Sequence, residues 1–115
     1  LHKIISDMEF NEYQKAALST AIYPQEKKII YPLIGLAGET GEVADKIKKE
    51  IRDRNSEFGT ESRFEIAKEI GDVMWYLALL ANDLGYSLDE IAHMNIEKIR
   101  SRKQRDKIHG EGDNR

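Results

Sequence analysis

From Leu33 to about Arg105 the chain contains no proline, and its apolar residues recur at the helical period. This run constrains the fold more than any other feature, since strands alternate with period two and none is visible here. The two prolines, Pro24 and Pro32, bracket an early connection. A first helix is expected from about Ser6 to Thr20, opened by the capping-box spacing of Ser6 and Glu9. The segment from Ala21 to Pro32 reads as an ordered loop, because each proline pushes its predecessor out of helical geometry. A second helix is expected from about Leu33 to Arg52, with a break from Arg54 to Thr60. The third starts near Ser62, where Ser62 and Glu65 repeat the capping-box spacing, and ends at about Asn82 or Leu84 before Gly85. Its apolar residues Ile66, Ile70, Val73, Leu77, Leu80 and Leu84 alternate steps of four and three, a bundle-facing stripe. Ser87 and Glu90 open a fourth helix carried by Leu88, Ile91, Ala92, Asn95 and Ile99, running to about Gln104. Residues 106–115 lose the period and gain glycine, as a tail or strap would. The expected architecture is all-α, an antiparallel four-helix bundle in a single domain over residues 1–115.

A chain of 115 residues is hard-pressed to bury four helices alone, so completion by oligomerisation is expected. A net charge of -3 argues against a protein built to grip nucleic acid, and the charged fraction of 34% excludes a membrane span. With no cysteine, disulfides, thiolate zinc sites and thiol nucleophiles are excluded. The opening LHKIISDMEF lacks the pattern of a signal peptide, which points to the cytoplasm.

Two pairs of acids stand out. Glu39 and Glu42 lie in the second helix and Glu69 and Asp72 in the third, each pair three residues apart and so on one helix face. If the helices pack side by side, four carboxylates converge, and such a group needs a cation to stay ionised. With no sulfur and no nearby histidine, the donor set suits a hard ion, Mg²⁺ or Mn²⁺. Gly38, Gly41 and Gly71 sit inside helical segments at a cost of about 1 kcal/mol each relative to alanine, which close helix approach or room for a bulky ligand would explain. Spacing alone leaves open a merely solvated acidic face, as in the row Glu61, Glu65 and Glu69. On the fourth helix Asn95, Lys98 and Arg102 share a face suited to a polyphosphate, or else form an ordinary basic last turn. Tyr76 lies one turn beyond Asp72, where it could touch a base or sugar. Glu90 and His93 have the Glu-x-x-His spacing of di-iron bundles, but the second such motif is missing.

Together these residues resemble the MazG-type all-α nucleoside triphosphate pyrophosphohydrolases. The similarity covers nearly the whole chain: Glu39-x-x-Glu42 inside GLAGETGEV, Glu69-x-x-Asp72 inside EIGDVMWYL, Asn95-Ile-Glu-Lys98-Ile, TAIYP near the start and GDNR at the end. The resemblance implies hydrolysis of a nucleoside triphosphate between its α and β phosphates to a monophosphate and pyrophosphate. It implies that Glu39, Glu42, Glu69 and Asp72 ligate Mg²⁺, with Mn²⁺ as a possible substitute, and that Glu39 or Glu42 positions or deprotonates the attacking water. It further implies that Lys98 and Arg102, with Asn95 nearby, hold the phosphate tail, and that Tyr76, Gln14 and Tyr23 contact the nucleoside. The implied assembly is a homodimer or homotetramer whose sites are completed across the interface. A narrower substrate in the same chemistry (dUTP, dCTP or phosphoribosyl-ATP) and a non-catalytic helical interaction module are the alternatives.

Overall fold

The computed structural model describes residues 7–105 and 112–113, and the described residues contain four α-helices and no strand. Helix α1 spans Phe10–Leu18, α2 Ile30–Arg54, α3 Thr60–Asp83 and α4 Leu88–Gln104. None of them is long and apolar enough to cross a membrane. The expected all-α bundle is what the chain builds, with element boundaries that differ for identifiable reasons.

Helix α1 is capped by Glu9, whose side chain and that of Glu12 close a reciprocal capping box. The cap expected at Ser6 falls outside the described residues, and the helix is shorter than its periodicity allows. Helix α2 begins at Ile30, three residues before the expected start, and takes Pro32 into its first turn. A proline is harmless there, because the first four N–H groups of a helix have no partner to lose. Pro32 is one of the two largest fully buried side chains. Just before it, Ile29 adopts φ 69, a left-handed backbone that a β-branched residue rarely accepts. The Asp83 carboxylate holds it, accepting from the Ile29 N–H at 2.9 Å and from the Tyr23 hydroxyl at 2.8 Å.

Helix α2 ends on Asn55 in the left-handed conformation, with its N–H on the Glu50 carbonyl. Helix α3 starts at Thr60 behind Gly59, so Ser62 lies inside the helix and does not cap it. There it receives the Arg54 guanidinium at 3.4 Å. Helix α3 stops at Gly85, φ 86, as expected, and α4 opens on the expected Ser87–Glu90 capping box.

Helices α2 and α3 form the principal antiparallel pair; α1 lies on α3, and α4 packs against α1 and α3. The core is thin, with Ala17, Ala78, Leu79 and Ala81 as its buried apolar residues. None of the expected α3 stripe is in it: Ile66, Val73 and Leu80 are half-buried and Ile70, Leu77 and Leu84 are exposed, as are Leu33 and Ile34 on α2. The accessible surface is 9035 Å², against about 6400 Å² expected for a compact chain of this mass. The radius of gyration of 17.0 Å likewise exceeds the about 13 Å of a compact domain this long.

Candidate metal centre

The α2–α3 pairing brings Glu39 of α2 against Glu69 and Asp72 of α3. One carboxylate oxygen from each lies within 4.8 Å of the other two. Glu39 and Glu69 are half-buried and Asp72 is exposed, so the trio sits at the mouth of the helix seam. Burial, and then the charges of Asp72, Glu69 and Glu42, push the Glu39 carboxyl above its ordinary value. Glu42, one turn along α2, is exposed and stands outside the trio, although its charge reaches Glu39. A donor set of carboxylate oxygens alone, under mutual repulsion and within reach of solvent, fits a hard divalent cation.

The glycines divide differently from the sequence-based explanation. Beside Gly38, Gly41 and Gly71 there is open space, so none of them marks a close helix contact here. The close approach is at Gly35, where a Cβ would run into the Tyr76 ring. Tyr76 therefore lies flat over α2, and its phenol is pushed up by burial and by neighbouring Tyr31, Glu39 and Asp72. Trp75 meets Tyr76 edge-on with centroids 4.9 Å apart, and its indole N–H donates to Thr20 at 3.0 Å.

The other expected contacts are spread over the molecule. Gln14 is buried and its amide is used within the fold: Nε2 donates to the carbonyls of Ala78 and Tyr86, and Oε1 accepts from the Leu88 N–H at 3.1 Å. The Tyr23 ring stacks on Tyr31 at 4.9 Å, while burial and its bond to Asp83 push its hydroxyl up to about 12. Asp83 lies eleven residues from Asp72, about 16 Å along α3, so that hydroxyl is remote from the trio. Asn95 is exposed on α4. Lys98 Nζ lies 2.9 Å from the Asp113 carboxylate, and the buried Arg102 donates to that carboxylate at 3.2 Å and to the Asp113 carbonyl. The two cations hold the Asp113 carboxyl below its usual range. Apart from Gly112 and Asp113, the expected tail lies outside the described residues. Glu90 is engaged in the α4 cap and His93 pairs with Asp89, so neither joins a metal cluster.

Two neighbours of the trio escaped the sequence. Lys46, on α2, places Nζ 3.8 Å from Glu69 Oε1; its seven-residue step from Glu39 marks a shared face of α2 but not the contact with α3. Tyr13 of α1 is close enough to Asp72 for that charge, after burial, to raise its phenol. No local pattern announces it, since it depends on how α1 docks.

Residues 31–105 match the family model described as the MazG nucleotide pyrophosphohydrolase domain. The Gene 37 protein of Mycobacterium phage L5 is 44% identical over 114 residues, covering 94% of this chain and 100% of that protein. No solved structure matches the chain. The matched region contains α2 from its second residue, all of α3 and α4 and the whole carboxylate trio, and on this ground the chain belongs to the MazG nucleotide pyrophosphohydrolase family.

Proposed function

We propose that this protein hydrolyses ribo- or deoxyribonucleoside triphosphates at the α–β phosphate bond, releasing a nucleoside monophosphate and pyrophosphate, with Mg²⁺ as the working ion and Mn²⁺ as a substitute. The observation that carries this proposal is the trio Glu39, Glu69 and Asp72, converging within 4.8 Å inside the family-matched region. Glu39, Glu69 and Asp72, with Glu42 one turn away, would hold the ion. A divalent ion bound there supplies charge neutralisation on the phosphates and acidifies a water. Glu42, outside the trio, or Glu39 orients the attacking water and takes its proton. As the bond from the water oxygen to phosphorus forms, the bridging P–O bond breaks and its electron pair leaves with pyrophosphate.

Tyr76, laid over Gly35 beside the trio, faces the nucleoside. Asn95, Lys98 and Arg102 serve the phosphate tail, with Asp113 as the anion that substrate must share or displace. Gln14 and Tyr23, whose polar atoms are engaged within the fold, act as supports of the wall and not as direct contacts. The protein works as a homodimer or homotetramer, in the cytoplasm where its substrate is dissolved, as one domain over the whole chain. The apolar residues left exposed on α2 and α3, Leu33, Ile34, Ile70 and Leu77 among them, support the assembly.

Product analysis on eight NTPs and dNTPs with Mg²⁺, beside Glu42→Gln, tests the proposal. Monophosphate plus pyrophosphate, lost in the variant, is the expected result, and the ranking of bases identifies the substrate. Full activity in Glu42→Gln refutes the site assignment, and diphosphate plus phosphate refutes the bond assignment.

A further inference from the structure

Lys46 follows Glu39 by seven residues, two helical turns, and so shares its face of α2. Among the described residues it is the one cation paired with a carboxylate of the trio, at 3.8 Å from Glu69, and its side chain is 35% exposed. It also lines the near end of a groove of about 540 Å³ between α2 and α3, whose walls include Glu65, Ile66 and Arg54. An ammonium in this place acts in two opposite ways. It lessens the repulsion among three crowded carboxylates, and it repels any divalent ion approaching the same oxygens.

We propose that Lys46 is the resident countercation of the metal centre. It offsets the trio when the ion is away and weakens the hold on a free divalent ion. When a metal–nucleotide complex enters, its ammonium turns to the phosphates. The site thereby favours an ion that arrives with a polyanion over the ion alone. This inference rests on the metal-binding proposal above.

The test is calorimetric titration of the full chain with MnCl₂, comparing wild type, Lys46→Met and the charge-keeping Lys46→Arg, with Lys46→Gln as a second neutral variant should the Met form misfold. The expected result is about tenfold tighter Mn²⁺ binding in the neutral variant, the effect of removing one charge about 6 Å from a doubly charged ion when both are screened as in bulk water. Lys46→Arg keeps wild-type affinity, the neutral variant melts lower without metal, and its KM for the Mg²⁺–nucleotide rises. Equal or weaker Mn²⁺ binding in the neutral variant overturns the countercation role, and tighter binding with unchanged KM overturns the phosphate role. Failure of the wild type itself to bind Mn²⁺ overturns the metal centre, a result distinct from either.

Discussion

At the scale of single residues, the carboxyl of Glu39 carries the electrostatic cost of the site. Its value in the fold is raised above the ordinary 4.5, so the folded state favours the protonated form. The stability it lends is therefore present below pH 4.5 and is lost as pH climbs through the raised value. Glu39→Gln removes that dependence. In metal-free melts the variant is expected to match wild type near pH 4 and to melt higher at pH 7, by roughly 1–4 °C in a domain of this size. Saturating Mg²⁺ should reverse the order, since only wild type gains from binding. Asp45 and Asp53, whose carboxyls are lowered by neighbouring cations, push stability the other way with pH but cancel in the difference. Glu69 and Asp72 were legible in the sequence because a three-residue spacing fixes two side chains on one helix face. Glu39 joined them through a pairing of helices that hydrophobic periodicity anticipated, whereas the Lys46–Glu69 contact needed the inter-helix register, which no local pattern encodes.

At the scale of elements, helix existence was readable throughout and helix starts were not. The fourth helix began where its capping box placed it because Ser87 and Glu90 compete with nothing else. Ser62 and Glu65 have the same spacing, but Gly59 provides an extended N-cap one turn earlier and the helix takes the longer option. Pro32 closes the expected loop by its effect on the residue before it, yet the first turn of α2 accommodates it. Gln14 shows how one side chain ties elements together: it bonds α3 through Ala78, the turn through Tyr86 and the first N–H of α4. Gln14→Leu should leave those buried groups unsatisfied and lower stability by about 2 kcal/mol, read from urea unfolding, with a smaller effect on KM. A variant that keeps its stability but loses substrate affinity would return Gln14 to the nucleoside contacts.

At the scale of the whole molecule, helices with apolar residues on more than one face cannot all be served by a four-helix chain with a thin core. Periodicity revealed that α3 is amphipathic, but it does not say whether Ile70 and Leu77 face the same chain or another copy. Leu77→Asp should cut the mass in light scattering to that of a monomer while the helix content by circular dichroism is kept, if a second copy covers this face. An unchanged mass would place the interface elsewhere. The clasp between Arg102 and Asp113 has its own bearing on how the protein is handled. Cutting the chain after residue 111 would strip the guanidinium of the buried Arg102 of its Asp113 acceptors. Gly112 and Asp113 therefore count as part of the folded body and not as dispensable sequence.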